Sequence, residues 1–519
     1  MSQRERFGSR LGMMLVMLGM AVGTGNIWRF PRIAAQNGGG EFLIPWVIFL
    51  FLWSIPLLMV EFGMGRKVRA GPIVAFARVM GPGWAWMGAF VAFVATAILF
   101  YYSVVAGWTF RYVLGSLLGE LPDAQPGAFW AEYTRSWWPV VTHGIAIGLG
   151  SLVVSRGIGG IERVARVLMP TLILLIVVLA GRAVSLPGAS DGLAYLFGVD
   201  WGELLNARLW IEALTQNAWD TGAGWGLALC YAAYLRERED TALNAVVLPI
   251  ANNVISLLAG VTVLCTVFSV VPGLVANLAS NPEALARFPA LAEAVQGGEA
   301  VTPALLQRTI FGAGNEGMTF IWIPQLMGTL PFGRVIMLAF FSALALAAMT
   351  SLIAMLELAT RVLVDAGAAR AKAVRCVGIG AFLLGVPSAL SLQVLKNQDW
   401  VWGMGLLVSG LFFSLAIIRY GVRRFREEQI NHADSDIRIG RWWDVVIGVL
   451  VPVEAVVLLA WWLLQAWSWD PEGWLTPFAQ ENVGTVLVQF GVVLAVLIAA
   501  NRWITRRTLP NVEPRPPER

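Results

Sequence analysis

"LGMAVGTGNIWRFPRIAAQNGGGEF", residues 18–42, begins as an apolar membrane segment and then departs from that pattern. Apolar residues continue to Val22, and a stretch that contains two glycines and an asparagine follows at 23–26. Backbone groups without partners cost several kcal/mol in hydrocarbon, unless they are buried in protein or line a cavity. The break therefore indicates backbone that faces a ligand at membrane depth, with close helix packing through small residues as the alternative.

The composition predicts an all-α polytopic membrane protein. The chain of 519 residues is 57% hydrophobic and 13% charged, whereas soluble proteins carry about 25% charged residues. The apolar runs are continuous and do not alternate with a period of two, which disfavours a β-barrel. About twelve of them are long enough to cross a bilayer, at 11–35, 41–65, 88–117, 137–155, 162–184, 207–235, 242–273, 335–365, 374–393, 400–420, 442–467 and 483–504.

Basic residues predict the orientation of the chain. Arginines and lysines concentrate before the first span and around the links between spans eight and nine and between spans ten and eleven. The positive-inside rule then places both termini in the cytoplasm of a bacterial-type inner membrane. The net charge of +4 comes from these loops, so no nucleic-acid partner is expected. The basic N-terminus lacks a clear cleavage site, so we expect no cleaved signal peptide.

The sixth span, 207–235, repeats the irregularity of the first. Asp220 lies there at membrane depth among Gly222, Gly224 and Gly226. Two glycine-interrupted spans, each opening a set of five, are typical of transporters built from inverted repeats. The division expected is spans 1–5 at 1–184, spans 6–10 at 185–425 with a long external loop at about 276–334, and two added spans with a tail at 426–519.

"GNIWRFPRIAAQNGGGEFLIPW", residues 25–46, resembles the first-helix signature of the neurotransmitter:sodium symporter family. The resemblance continues through "YYSVVAGWTF" at 101–110, "WDTGAGWG" at 219–226 and "ALAAMTSLIAMLE" at 345–357. It implies the leucine-transporter fold: twelve transmembrane helices in a 5+5 inverted repeat with broken helices 1 and 6, plus two C-terminal helices. It also implies uptake of amino acids or related amines driven by the sodium gradient.

The resemblance implies two sodium sites, and sodium as a hard cation favours oxygen ligands. Thr350 and Ser351 taken alone would more often bond back to the i−4 carbonyl, so only the resemblance makes them ligands. The first site would use Ala21, Asn26, Asp220 and Asn252 with the substrate carboxylate, and the second Gly19, Val22, Ala347, Thr350 and Ser351.

The substrate expected is a zwitterion, because Gly23 stands where monoamine-transporting members carry an aspartate. Trp225 and Met355 are large and fill the pocket, whereas Gly222 opens some room. This balance favours glycine or alanine, with larger hydrophobic amino acids as the alternative. The substrate-binding residues implied are Ala21, Thr24, Gly25, Ile98, Tyr102, Trp219, Asp220, Gly222, Trp225, Ser351 and Met355.

The same resemblance implies gates on both sides of the substrate. Arg29 and Asp399 would form the extracellular gate, above an aromatic lid of Tyr102 and Trp219. Arg4 and Asp365 would form the intracellular gate. Phe7 stands where a tryptophan is usual, which weakens the expected inner contact.

Asp220 is the departure from the family pattern that bears on ions. Gln216, Asn252 and Ser256 match the chloride ligands of chloride-dependent members, but Trp46 replaces a tyrosine and Asp220 a hydroxyl. A resident carboxylate would supply the negative charge, so we predict transport without chloride. A buried carboxylate is costly without a cation. Asp220 therefore either takes up a proton on the empty return step or remains an ionised sodium ligand.

Two further carboxylates and the cysteines receive structural interpretations. Glu61 is expected to pair with arginines near the inner end of span two. Glu357, below the second sodium site, is expected to form a structural pair, with a position facing the inner pathway as the alternative. Three scattered cysteines without CxxC spacing indicate neither disulfides nor a metal site.

An enzyme is not expected. The chain has two histidines, far apart and without an HExxH motif, and "GAGNEG" at 312–317 matches GxGxxG only by chance. The function predicted is sodium-coupled symport of a small neutral amino acid by alternating access. A channel or a transport-dead sensor on the same fold is the alternative. The partners expected are the amino acid and the lipid bilayer, with the chain as monomer or homodimer.

Overall fold

The computed structural model describes residues 5–123, 126–236, 239–279, 289–432 and 435–512. Within these ranges it is helical and contains no strand. Ten helices are long and apolar enough to cross a membrane, and a bent helix pair near the N-terminus makes an eleventh candidate. The prediction of an all-α polytopic membrane protein is confirmed.

The principal helices are named here in chain order. They are α1 (Arg10–Ala21), α2 (Gly25–Gln36), α3 (Gly40–Val68), α4 (Pro82–Leu118), α5 (Trp138–Ser155), α6 (Gly157–Val184), α7 (Ala207–Asp220), α8 (Leu227–Ala232), α9 (Thr241–Ala279), α10 (Gly333–Asp365), α11 (Arg370–Leu390), α12 (Leu392–Tyr420), α13 (Trp442–Trp469) and α14 (Val483–Thr508). Short helices at Pro289–Gln296, Pro303–Thr309 and Ile323–Gly328 lie on one end of the bundle, which we call the loop face.

The first predicted break separates α1 from α2, whose axes differ by 53°. Val22 ends α1 in an extended conformation, with φ −73° and ψ 105°. The side chain of Asn26 accepts a hydrogen bond from the Gly23 N–H at 2.7 Å. This side-chain acceptor replaces a backbone carbonyl that the interrupted helix no longer supplies.

The second predicted break runs from residue 221 to 226, between α7 and α8. Gly222, Gly224 and Gly226 have φ values of 73°, 86° and 77°, a region that glycine adopts without a steric penalty. All six residues of the break are buried. The break thus lies inside the protein, as hydrocarbon requires.

Glu61 of α3 supports the second break from the side. Its carboxylate accepts hydrogen bonds from the Gly224 N–H at 2.7 Å and the Leu229 N–H at 3.1 Å. The expectation that Glu61 pairs with arginines is therefore wrong. The physical reason is that a broken helix leaves donors free at its new N-terminus, where a carboxylate is favoured.

The end of the bundle opposite the loop face is closed by buried polar contacts. Glu357 of α10 accepts a hydrogen bond from the Tyr234 hydroxyl at 2.5 Å and forms an ion pair with Arg370 of α11. The expectation of a structural pair for Glu357 is confirmed. Phe7 packs edge-on against Tyr231 and Tyr234, with ring centroids 6.4 Å apart in each case.

Asp365, expected in the intracellular gate, lies at the same closed end. It pairs with Arg361 at 2.8 Å and accepts a hydrogen bond from the Gly71 N–H at 2.7 Å. Its expected partner Arg4 lies outside the described residues.

Replacing Glu61 tests its support of the break. Glu61→Ala should lower the free energy of unfolding by about 2–6 kcal/mol, because each of the two buried donors that lose their acceptor costs about 1–3 kcal/mol. Glu61→Gln should have an intermediate effect, since it retains one acceptor oxygen. Thermal unfolding in detergent, followed with a thiol-reactive dye at the buried Cys230 and Cys265, measures the change.

Glu203→Ala is the control, because Glu203 is exposed. Equal melting temperatures for Glu61→Ala and Glu203→Ala would contradict the assigned role.

Candidate functional site

A cavity of about 500 Å³ lies where the two breaks meet and extends to the loop face. Its lining includes residues 23–26 of the first break, and Asp220, Gly222 and Trp225 at the second. Towards the loop face it is lined by Asn315 and by polar and aromatic residues of α7, α12 and α13. Among the described residues, the lining includes none of the polar pairs that close the opposite end.

Most of the residues expected to bind substrate come together in this cavity. Ile98 of α4 is buried and is not among the lining residues. The residues that do line it are Ala21, Thr24, Gly25, Tyr102, Trp219, Asp220, Gly222, Trp225, Ser351 and Met355.

Sequence reasoning missed the outer part of the cavity. Arg208 and Glu212 of α7 line it, as do Trp462 and Trp469 of α13. Arg208 and Glu212 are spaced i, i+4, a spacing that puts two charges on one helix face. The tryptophans of α13 carried no such spacing signal, since the packing of this helix depends on tertiary structure.

Gly23 lies where α4 and α10 approach the first break most closely. A Cβ atom at Gly23 would lie 2.9 Å from Ser351 Oγ and 3.0 Å from the Tyr102 hydroxyl. The Tyr102 hydroxyl accepts a hydrogen bond from the Thr24 N–H at 3.1 Å. A side chain at position 23 would therefore require Ser351 or Tyr102 to shift.

Three of the four residues expected at the first sodium site, Asn26, Asp220 and Asn252, belong to one hydrogen-bonded cluster that Ser256 completes. Asn26 donates to Asn252 Oδ1 at 2.9 Å and to Ser256 Oγ at 2.8 Å. Asp220 Oδ2 accepts from Gln216 at 3.0 Å and from Ser256 at 3.4 Å.

Asp220 retains one unused acceptor. Asp220 is 3% exposed. Its Oδ1 atom has no hydrogen-bond partner within the described part of the chain. A buried carboxylate oxygen without a donor has the chemistry to bind a cation, since a paired charge is much less costly than an unpaired one.

The residues expected at the second sodium site converge between α1 and α10. Ser351 Oγ lies 3.4 Å from the Gly19 carbonyl oxygen and 3.3 Å from that of Val22. Thr350 Oγ1 lies 3.5 Å from the Val22 carbonyl oxygen and 3.0 Å from that of Ala347. Five neutral oxygen atoms thus approach one another, an arrangement suited to a hard cation.

The residues expected at the extracellular gate also line the cavity. The Arg29 guanidinium lies over the Trp219 ring, 5.2 Å from its centroid. Asp399 lines the same cavity, but no ion pair within 4.0 Å joins it to Arg29 among the described salt bridges. Trp219 meets Trp225 edge-on, with centroids 6.1 Å apart.

The sequence profile described as "Sodium:neurotransmitter symporter family" matches residues 4–138 and 134–506. An "Uncharacterized sodium-dependent transporter" of Methanocaldococcus jannaschii is 28% identical over 477 residues, which are 88% of this chain and 90% of the relative. The "Uncharacterized sodium-dependent transporter YhdH" of Bacillus subtilis is 30% identical over 482 residues, 87% and 96% of the two chains. These relatives are transporters and not enzymes.

A solved structure is similar over nearly its full length. MhsT in complex with L-phenylalanine superposes with a TM-score of 0.72 at 25% identity, covering 88% of this chain and 99% of MhsT. This similarity supports the leucine-transporter fold for the chain.

Two glycines of the first break allow a matched test of its packing. Gly23→Ala should lower the free energy of unfolding by about 1–3 kcal/mol, because the methyl group would overpack the contact with Ser351 and Tyr102. Gly25→Ala should have little effect, since the nearest atom to a Cβ there is Asp220 Cβ at 3.9 Å. Melting temperatures measure both changes, and equal losses would contradict the close approach at Gly23.

Proposed function

Since the chain belongs to the Sodium:neurotransmitter symporter family, we propose that it is a sodium-coupled symporter of a small neutral amino acid, with glycine or alanine favoured. The observation that carries the proposal is the pair of oxygen clusters beside the two helix breaks. One cluster contains the unpartnered Asp220 oxygen, and the other contains the carbonyl and hydroxyl oxygens between α1 and α10.

The proposed ion sites follow these clusters. Sodium in the first site binds Asp220, Asn26, Asn252 and the Ala21 carbonyl together with the substrate carboxylate. Sodium in the second site binds the oxygens of Gly19, Val22, Ala347, Thr350 and Ser351, and thereby joins α1 to α10. Because the substrate carboxylate is shared with the first sodium, each favours binding of the other by the same factor.

The break at Gly23 leaves room for the substrate and brings no charge of its own. A zwitterionic amino acid would place its carboxylate near the Tyr102 hydroxyl and the first-site oxygens. Trp225 and Met355 line the same cavity and limit the length of its side chain. A Cβ atom at Gly222 would lie 3.4 Å from the end of Met20, so the space there is also limited.

Transport of larger hydrophobic amino acids is the second candidate. It is favoured by the similarity to MhsT, whose structure is a complex with L-phenylalanine. It is also favoured by the cavity volume of about 500 Å³, because pockets for small ligands begin at about 300 Å³.

Alternating access would then use the two ends of the bundle in turn. The cavity reaches the loop face, while Glu357, Arg370 and the Arg361–Asp365 pair close the opposite end. With both termini in the cytoplasm of an inner membrane, this arrangement is an outward-facing state. The repeats at 1–184 and 185–425 would move against each other, with 426–519 as an addition.

Asp220 supplies the negative charge in place of chloride in this proposal. It lies beside Gln216, Asn252 and Ser256, while the Trp46 ring packs on Phe30 with centroids 4.6 Å apart. A fixed carboxylate at this place makes a bound anion unnecessary, because two negative charges in a buried site repel each other.

Uptake into proteoliposomes under an inward sodium gradient tests the function. We expect saturable uptake of glycine or alanine that requires sodium and is lost when potassium replaces it. A higher catalytic efficiency for leucine and phenylalanine would favour the second candidate. Continuous currents would indicate a channel, binding without uptake a sensor, and uptake without sodium would contradict symport.

Substitution of Asp220 tests its role as the resident anion. Wild-type uptake should be equal in chloride and gluconate. Asp220→Ser should lower uptake in gluconate by about tenfold or more, ~1.4 kcal/mol or more of barrier, and chloride should restore part of it. The control is Asp191→Asn, because Asp191 is exposed.

Chloride dependence of the wild type would contradict the assignment of Asp220 as the resident anion.

The effect of internal pH on uptake distinguishes whether Asp220 carries a proton on the return step or remains ionised. Sensitivity of sodium-driven uptake to internal pH would indicate a proton on the return step, and insensitivity a permanently ionised ligand.

A further inference from the structure

Gly403 of α12 provides the space in which the Trp219 indole lies. A Cβ atom at Gly403 would lie 2.2 Å from Trp219 Cζ2 and 3.1 Å from both neighbouring ring atoms, Cε2 and Cη2. The two neighbours lie farther from this Cβ than they would if it stood above the ring face, so the ring edge, and not its face, points at Gly403. Contacts under 3.0 Å do not occur for real Cβ atoms, so any side chain at 403 displaces the indole or α12.

Other contacts restrict where a displaced indole could go. The Arg29 guanidinium covers one face of the Trp219 ring, and Trp225 meets it edge-on with an interplanar angle of 73°. Both Trp219 and Gly403 line the cavity between the breaks. Because Arg29 and Trp225 line that cavity as well, an indole displaced from Gly403 moves towards these neighbours and the cavity that they share.

Gly403 differs in this respect from the other glycines of α12. A Cβ atom at Gly405 would meet Val94, and one at Gly410 would meet Trp53. Neither Gly405 nor Gly410 lines the cavity. The small size of Gly405 and Gly410 allows helices to pack closely. The small size of Gly403 instead leaves space for Trp219, which lines the cavity.

We propose that Gly403 is a positioning residue that sets the length of amino-acid side chain the cavity accepts, by seating the Trp219 indole against α12. The inference rests on the proposed function, because it assumes that an amino acid binds beside Trp219. A methyl group at 403 pushes the indole into the cavity and shortens the space for the substrate side chain. Long substrates then lose more affinity than short ones.

Uptake of four amino acids of increasing size tests the proposal: glycine, alanine, leucine and phenylalanine. Gly403→Ala should raise the half-saturating concentration of the largest transported amino acid about tenfold more than that of the smallest. A tenfold effect is the scale of a size mismatch in an apolar pocket. Trp219→Phe combined with Gly403→Ala should reverse this change, because phenylalanine lacks the outer ring atoms that the methyl group meets. An equal loss for every size, or no reversal, would overturn the proposal.

Gly380→Ala is the matched control. Gly380 lies within a helix, and no atom lies within 4 Å of a Cβ placed there. It should therefore leave the ratio of half-saturating concentrations unchanged. Failure of the purified wild type to transport any of the four amino acids would contradict the proposed function itself.

Melting temperatures without any amino acid distinguish these two failures. Gly403→Ala should melt below Gly380→Ala, and the added Trp219→Phe substitution should recover part of the loss. Such coupling in a double-mutant cycle measures the contact between residues 403 and 219 directly. If the two substitutions show no coupling, the contact between Gly403 and the Trp219 indole is contradicted, whatever the protein transports.

Discussion

Backbone hydrogen bonding in a medium without water is the constraint on which the rest of this structure depends. A helix that breaks inside a membrane must find new partners for its free N–H and carbonyl groups. Side chains supply several of them here: Glu61 of α3 at the second break, and Asn26 of α2 and Tyr102 of α4 at the first. The contacts of Glu61 and Tyr102 join each break to a neighbouring helix.

The same constraint creates the ligand chemistry. Carbonyls released from α1 lie beside the hydroxyls of Thr350 and Ser351, and together they form a neutral oxygen cluster. At the other break, Asp220 adds a full negative charge close to the asparagine pair. One site therefore relies on dipoles alone, and the other on a charge that a cation must balance. This difference gives the two proposed sodium sites different electrostatic character.

The bundle is asymmetric between its two ends. Buried ion pairs close one end, whereas the other end is a wide cavity with charged and aromatic walls. The Arg361–Asp365 pair lies within α10, but Asp365 also accepts from the Gly71 N–H and Glu357 from Tyr234. Polar contacts between segments can exchange for water when the segments separate, which would suit an end that opens in the proposed transport cycle.

The sequence by itself determined the membrane class and both helix breaks, because clustered glycines beside polar residues at membrane depth are rare enough to be informative. Most of the substrate-binding residues that it predicted line the cavity, but many of the other lining residues were not predicted. It did not determine the partner of Glu61, because the donors that this carboxylate binds appear only when the break in α7–α8 is placed beside α3. Nor did it show that Gly403 meets Trp219. Contacts between distant segments depend on how helices pack, and no local pattern of residues records that packing.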